Sequence, residues 1–244
     1  AWHAARGITT RFGERVEEID LAARQIVSGG EVLGYDKLVI ATGSNPVMIP
    51  LPGHDLEGVI AYRDLEDTER MMSLGQGTQA VVIGGGLLGL EAAAGLHAQG
   101  MDVTVLHLMS HLMERPLDAA PGYLLQKDLM KRGLQVRCRA DTAGILGEDR
   151  VTGVRLKDGT EIPADLVVMA VGIRPSVALA REAGIACDRG IVVDDQLRTS
   201  DPSILAVGEC TQHRGALYGL VAPLYDQAKV AAKTLLDEPA AFEG

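Results

Sequence analysis

The sequence predicts an α/β fold built from two related halves, and three observations support this prediction. A β-branched strand at residues 80–83 runs into a glycine-rich turn and then a helix. A stretch that begins at Asp36 recurs at Asp165, and a hairpin signal precedes each copy. The composition agrees, because 29 glycines among 244 residues and only 3% aromatic residues suit an α/β protein rich in tight turns.

The internal repeat pairs residues 36–46, DKLVIATGSNP, with residues 165–175, DLVVMAVGIRP. Five of the eleven positions are identical, and each copy is an apolar run followed by a glycine and a proline, which predicts a buried strand and a turn. The hairpins before the two copies, at residues 24–33 and 151–163, extend the similarity to a second element. Chance similarity between two buried strands is the alternative explanation.

The glycine-rich turn has the form G-x-G-x-x-G at Gly84, Gly86 and Gly89. A second strand at residues 102–107 completes a β-α-β unit, which is the context in which this motif binds dinucleotides. The first glycine permits the tight turn, the second lets a pyrophosphate approach the backbone, and the third lets helix and strand pack closely. The anion would lie at the helix N-terminus. A turn that only packs would explain Gly89 but not all three glycines.

Charge and cysteine content argue against several function classes. The net charge of -10 provides no positive field for a nucleic acid or an anionic membrane. The uncharged run 71–90 contains six glycines, so it is predicted to be a loop, a strand and a turn instead of a membrane span. The first residues show no secretory signal, which favours a cytoplasmic location. The three cysteines, Cys138, Cys187 and Cys210, form no paired motif, so we expect no metal site and no redox disulfide among them.

The repeat also predicts the domain organisation. A glycine fingerprint matching the one at Gly84 would lie before Ala1, so the chain is expected to hold one complete dinucleotide module and the remainder of a second. The expected bounds are 1–75 for the first part of the incomplete domain, 76–187 for the complete domain, and 188–244 for the second part of the incomplete domain.

These motifs resemble the flavoprotein reductases known as pyridine nucleotide-disulfide oxidoreductases, in which an NAD(P)H domain interrupts an FAD domain. The resemblance is carried by residues 41–46 (ATGSNP), by the fingerprint 84–89 with Glu91, and by residues 199–209 (TSDPSILAVGE). Within this group the chain most resembles the large subunits of assimilatory NAD(P)H-dependent nitrite reductases, and the resemblance runs from end to end. It is carried by residues 84–93, 101–109, 112–115, 117–118, 198–202, 218–223 and 241–244. The resemblance implies two Rossmann-like FAD/NAD(P)-binding domains of the three-layer ββα type, with 76–187 binding NAD(P)H and the FAD domain incomplete at its N-terminus.

The resemblance also implies which residues bind the cofactors. Beside FAD it places Thr42, Gly43, Ser44, Gly208, Glu209, Ala222 and Pro223. Beside NAD(P)H it places Gly84, Gly86, Leu87, Leu88, Gly89, Glu91, His107, Arg115, Val171, Gly172 and Ile173. Hydride transfer between stacked rings requires no side-chain acid, so no catalytic residue is expected.

Two of these positions depart from the family pattern. Glu209 replaces an aspartate that holds the flavin side chain, which puts the carboxylate one methylene further out. His107 stands 23 residues after Gly84, where an acidic residue would bind the ribose of NAD. Neither NADH nor NADPH is therefore favoured. The alternative is a strand-end histidine without a ligand role.

The resemblance implies hydride transfer from NAD(P)H to FAD, with electrons passed on to iron-sulfur and sirohaem centres in nitrate assimilation. Those centres are expected only in other parts of such a protein, so this chain should not reduce nitrite by itself. A small nitrite reductase subunit is an expected partner, whereas nucleic acid and membrane are not. A rubredoxin- or ferredoxin-reductase type flavoprotein and a non-catalytic nucleotide-binding redox sensor are the alternatives. Because the first fingerprint is absent from residues 1–75, the chain is expected to bind FAD poorly while its NAD(P) site is largely formed.

The last predicted element is an amphipathic helix that begins at Pro223 and runs to Leu236. Its apolar side chains are expected to face inward. They are Ala228, Val230, Ala231, Leu235 and Leu236.

Overall fold

The structure is a computed structural model that describes residues 2–244. The strands are β1 (Val16–Asp20), β2 (Gln25–Ser28), β3 (Glu31–Gly34), β4 (Leu38–Ile40), β5 (Ser44–Pro46), β6 (Val59–Ala61), β7 (Gln79–Ile83), β8 (Asp102–His107), β9 (Gln135–Cys138), β10 (Thr142–Gly147), β11 (Val151–Leu156), β12 (Glu161–Pro163), β13 (Leu166–Met169), β14 (Ile173–Pro175), β15 (Ile191–Val193), β16 (Ile204–Ala206), β17 (Thr211–His213) and β18 (Ala216–Leu217). The α-helices are α1 (Leu65–Met72), α2 (Leu87–Ala98), α3 (Ala119–Lys131), α4 (Ala178–Glu182) and α5 (Val221–Leu235).

The chain forms two compact units that differ in extent from the expected domains. The inserted unit is Pro46–Ile173, and the flanking unit joins the residues up to Asn45 with Arg174–Gly244. The expected bounds lay at 75/76 and 187/188. The inserted unit begins earlier because β6 pairs in parallel with β13 and so becomes part of its sheet. It ends earlier because α4 packs against β1 of the flanking unit.

The inserted unit has three layers around a parallel sheet of five strands in the order β6-β13-β7-β8-β9. One face of this sheet packs on helix α2 through residues such as Val82, Val105 and Ala93. The other face packs on the antiparallel sheet β10-β11-β12 through residues such as Val81, Val167 and Val154. Because both faces are covered, β7 and β13 are almost wholly buried, as parallel strands usually are. The α/β prediction is confirmed for this unit.

The flanking unit contains a shorter parallel pair, β4 with β16, and an antiparallel sheet, β1-β2-β3. It also contains a mixed sheet in which β17 pairs in parallel with β15 and antiparallel with β18. The hairpin of β2 and β3 closes through Gly29 and Gly30, whose φ angles of 58° and 79° suit a tight two-residue turn. Its core gathers Ile40, Ile204 and Ala231. The hairpin expected at residues 24–33 is therefore present, and β11 and β12 of the inserted unit form the one expected at residues 151–163.

Helix α5 differs from its prediction in both its start and its buried face. It begins at Val221, so Pro223 is the third helical residue and not the first. The buried residues are Gln227, Ala231 and Thr234, whereas Ala228 and Leu236 are exposed. The inward assignment of Ala228 and Leu236 was therefore wrong. The two buried polar side chains are accommodated because each makes hydrogen bonds inside the unit, the Thr234 hydroxyl donating to the carbonyl of Gln196 over 3.0 Å.

The cysteines differ in burial. Cys210 is fully buried, and this burial raises the pKa of its thiol, while Cys138 and Cys187 are half-buried. Within residues 2–244 we find no set of three or more His, Cys, Asp or Glu side chains placed to hold a metal ion. The helices of the same residues include none with the length and apolarity needed to cross a bilayer.

A charged cluster near the C-terminus ties the loop before α5 to the rest of the flanking unit. The carboxylate of Asp195 accepts a hydrogen bond of 2.9 Å from Nε2 of His213 and two from the guanidinium of Arg214, at 2.9 and 2.7 Å. The hydrogen bonds from Arg214 and then from His213 lower the pKa of Asp195 to about 2 from its ordinary value of 3.8. The main-chain N–H of Phe242 also donates to the carbonyl of Asp195, over 2.7 Å.

We expect Asp195 to make stability depend on pH in the acid range. Its pKa is depressed in the folded state, so its contribution is present above about pH 3.8 and is lost as the pH falls towards about 2. Urea unfolding at a series of pH values should show a larger loss of stability in the wild type than in Asp195→Asn over this range. If the free energy of unfolding changed with pH equally in both proteins, the ionised carboxylate of Asp195 would not stabilise the fold.

Candidate functional site

The glycine-rich turn between β7 and α2 is shaped by two glycines that pack and one that does not. A Cβ at Gly84 would overlap the carbonyl oxygen of Ala170, and its φ of 124° excludes other residues. A Cβ at Gly89 would overlap the carbonyl oxygen of Gly84. At Gly86, by contrast, no atom lies within 4 Å of where a Cβ would be. Packing therefore explains Gly84 and Gly89, and the space beside Gly86 is left for another molecule.

The N-terminus of α2 opens at this same turn. Gly86 is the N-cap residue and has no side chain to cap the helix. The next two residues, Leu87 and Leu88, are 56% and 40% exposed, so the start of the helix is accessible. Uncapped N–H groups and the helix dipole favour an anion here. Glu91 is exposed at the fifth helical position, one turn further along α2.

The turn between β13 and β14 lies at the same edge of the sheet, because β13 and β7 are parallel neighbours. Gly172 has a φ of 128°, and no atom lies within 4 Å of where its Cβ would be, so its backbone is open to close approach. Its carbonyl accepts a 2.9 Å hydrogen bond from the N–H of Val47. Val171 and Ile173 on either side are half-buried. In open parallel sheets, ligands bind at the carboxyl ends of the strands.

His107 lies beneath the glycine turn and is only 6% exposed. Its Nδ1 accepts a 3.1 Å hydrogen bond from the N–H of Gly85, and its Nε2 lies 3.1 Å from Oε2 of Glu114. The structure thus places the ring against Gly85 and away from the open space at Gly86. Arg115 is exposed in the loop that follows β8.

The residues expected beside FAD lie close together in the flanking unit. The strands that precede them, β4 and β16, are parallel neighbours and end at the same edge. The Ser44 hydroxyl donates a 2.7 Å hydrogen bond to Oε2 of Glu209. The Thr42 hydroxyl donates to the carbonyl of Ser176 over 2.7 Å, and the N–H of Ser176 donates to the carbonyl of Gly43 over 2.9 Å. The longer Glu209 side chain therefore reaches the turn after β4. Two further expected residues, Ala222 and Pro223, lie in the first turn of α5.

Sequence reasoning missed one residue that supports this edge. Gln227 is fully buried, its Oε1 accepts a 2.7 Å hydrogen bond from the N–H of Gly208, and its Nε2 donates to Oγ1 of Thr211 over 3.3 Å. Gly208 has a φ of 89°, so the turn before Glu209 depends on both glycine and this amide. The available signal was an amide one helical turn after Pro223, on the helix that the family pattern points at the flavin.

The inserted unit has a β-α-β element with an open glycine turn, and the flanking unit has a second turn at Gly208 and Glu209. This arrangement defines a class of protein: an oxidoreductase that uses a pyridine nucleotide and a flavin. The chain belongs to the pyridine nucleotide-disulphide oxidoreductase family, which matches residues 3–234. Its fold and its enzyme class are those that the sequence predicted, and the family implies FAD and NAD(P)H as cofactors.

Similar proteins narrow the group further. The chain is 50% identical to a nitrite reductase [NAD(P)H] of Bacillus subtilis (strain 168), over 100% of this chain and 31% of that protein. It is 45% identical to an assimilatory nitrate reductase electron transfer subunit of the same organism, over 98% of this chain and 31% of that protein. A ferredoxin reductase for the CYP199A2 system from Rhodopseudomonas palustris matches in structure with a TM-score of 0.92 and 33% identity, over 100% of this chain and 62% of that one.

These comparisons confirm the family resemblance and show that the chain is an NAD(P)H–flavin oxidoreductase module. The chain spans about a third of the length of the two curated relatives.

Proposed function

We propose that this chain is the NAD(P)H- and FAD-binding part of a nitrite reductase large subunit. It would pass electrons from NAD(P)H through FAD to iron-sulfur and sirohaem centres carried elsewhere in such a protein. The 50% identity to a nitrite reductase supports this assignment. The single observation that carries the nucleotide-binding part is the open space at Gly86, which lies between two glycines that packing requires. A small nitrite reductase subunit as partner and a cytoplasmic location belong to the same proposal.

The inserted unit would bind NAD(P)H. The turn at Gly84, Gly86 and Gly89 would hold the pyrophosphate at the N-terminus of α2 through main-chain N–H groups. Leu87 and Leu88, both exposed at the start of the helix, would exclude water from the nucleotide. Val171, Gly172 and Ile173 would line the nicotinamide end, because their turn follows the strand next to β7.

The flanking unit would bind FAD. The Glu209 carboxylate, held by Ser44, would accept hydrogen bonds from the hydroxyl groups of the flavin side chain. Gly208 leaves no atom within 4 Å of a Cβ position, so the cofactor can approach its backbone closely. Thr42 and Gly43 on one strand end, and Ala222 and Pro223 on α5, would complete the contacts. When bound, FAD supplies the ring that accepts hydride from the nicotinamide. The protein supplies positioning and exclusion of water, so no side chain is assigned an acid or base role.

Titration of NADH into the protein tests the nucleotide site through Gly86→Ala. We expect this variant to bind NADH about tenfold more weakly, a loss of about 1.4 kcal/mol, because the methyl group would occupy the space left for the pyrophosphate. Its free energy of unfolding should stay within about 0.5 kcal/mol of the wild type, since the φ of -85° suits any residue and nothing lies nearby.

The matched control is Gly95→Ala, because Gly95 is an open glycine within α2, the helix that Gly86 precedes. It should leave NADH binding unchanged. Equal affinity of Gly86→Ala and the wild type for NADH would remove the turn from the proposed site.

A ferredoxin-reductase type flavoprotein is the second candidate, and the close structural match to such a reductase favours it. The sequence that follows Gly244 in the gene separates the two. Cysteine-rich modules there support nitrite reductase, whereas an end within one further domain supports the ferredoxin-reductase type. Repeated reduction of a dye by NADH, with FAD added, would argue against a redox sensor that only binds nucleotide.

A further inference from the structure

The strand end that follows the glycine turn lacks the acidic residue that usually binds the ribose 2′-OH of NAD. His107 stands there instead, and it is buried. The N–H of Gly85 can only donate, so Nδ1 of His107 must be the unprotonated nitrogen, and the ring hydrogen is assigned to Nε2. His107 therefore accepts from the turn through Nδ1, and its buried ring is closed off from a bound nucleotide.

A carboxylate nevertheless lies next to this ring. Oε2 of Glu114 is 3.1 Å from Nε2 of His107, and this contact does not form a hydrogen bond. The side chain of Glu114 is 31% exposed, so it is reachable from solvent, whereas that of His107 is not. The histidine ring thus connects the main chain of the glycine turn to an accessible acid.

The loop that carries Glu114 is bound to the same turn. The N–H of Met113 donates a 3.0 Å hydrogen bond to the carbonyl of Gly85. Leu112 is fully buried, and its Cδ2 lies 2.5 Å from where a Cβ at Gly85 would be. Gly85 is therefore held at its N–H by His107 and at its carbonyl by Met113, and Glu114 is the next residue along. This arrangement fixes the acid beside the turn through main-chain contacts as well as through the histidine.

We propose that Glu114 is the acidic residue that selects NADH over NADPH in this chain, and that His107 is a positioning residue that accepts a hydrogen bond from Gly85 and lies against the Glu114 carboxylate. A carboxylate accepts hydrogen bonds from a ribose 2′-OH and repels a 2′-phosphate. The proposal rests on the proposed function, because it requires that the glycine turn binds a dinucleotide. In this chain the strand end carries the buried His107, which supports the turn, and the acid is supplied by Glu114 from the following loop.

Calorimetric titration of NADH and NADPH into wild type and Glu114→Gln tests the proposal. We expect the Kd for NADH to rise about tenfold and the Kd for NADPH to stay equal or fall, so the preference for NADH drops at least about tenfold. Glu148→Gln, the same change at an exposed site between β10 and β11, should keep the wild-type ratio. An unchanged ratio in Glu114→Gln would overturn the proposal, and so would a ratio that changes in Arg115→Gln instead.

Two variants of His107 separate positioning from general support of the fold. In His107→Asn the side-chain oxygen can accept from Gly85 much as Nδ1 does, so NADPH should still bind while the preference for NADH falls. His107→Leu lacks the acceptor and should weaken binding of both nucleotides. Identical binding by these two variants would contradict the positioning role. If the wild type binds neither nucleotide, the proposed function fails, which is distinct from an unchanged ratio.

Discussion

Gly89→Ala is expected to lower the free energy of unfolding by about 3 kcal/mol and to remove measurable NADH binding. The added methyl group would overlap the carbonyl oxygen of Gly84. That atom is main chain in a turn whose other glycine is itself pressed against Ala170, so it cannot rotate away as a side chain would. The start of α2 must shift from β7, and with it the N–H groups that would bind the pyrophosphate.

Urea unfolding and NADH titration on the same preparation would check this expectation. Gly86→Ala is the matched variant three residues earlier, because it should weaken binding without loss of stability. Gly95→Ala should even stabilise the chain by about 0.5–1 kcal/mol, as alanine favours helix more than glycine does. Wild-type stability in Gly89→Ala would show that helix and turn are packed loosely enough to admit the methyl group.

Gln227→Leu is expected to lower the free energy of unfolding by about 1–3 kcal/mol and to weaken FAD binding. Leucine is similar in size but leaves the N–H of Gly208 without its acceptor inside the flanking unit. The turn that carries Glu209 would then lose its support from α5. A fluorescence titration with FAD, continued up to the concentration that saturates the wild-type chain, would measure the change in affinity.

Thr234→Val provides a matched comparison two turns further along α5. It also removes one buried hydrogen bond, to the carbonyl of Gln196, so it should lower stability without a specific effect on FAD. Equal FAD affinities in the two variants would mean that Gln227 only stabilises the fold.

The elements that sequence reasoning predicted well are those whose signals are local. The β7-α2-β8 unit follows from a β-branched run, three spaced glycines and a second apolar strand, all within about 30 residues. The β2-β3 hairpin follows from Gly29 and Gly30 at its turn. In both cases the residues that determine the structure are neighbours in the chain, so no knowledge of tertiary contacts was needed.

The features that sequence reasoning missed depend on partners that are distant in the chain. Gln227 is buried because Gly208 offers an N–H, and no helical periodicity reveals that partner. The short strand β6 joins the inserted unit because it pairs with β13, about 100 residues later. His107 was correctly placed at a strand end, but only the structure shows that its ring turns towards Gly85 and Glu114.

The pairing of β4 with β16 has a consequence for how the protein is made. Leu38 lies opposite Ile204, so the first of these strands leaves the ribosome long before its partner exists. At about 5–20 residues per second, this interval is roughly 10–30 seconds. During that time the edge of β4 is unpaired, while Pro46–Ile173 can already be complete. Biogenesis of the flanking unit is thus expected to be the slow and chaperone-sensitive stage, because β4 must wait for an entire inserted unit to be translated before β16 can pair with it.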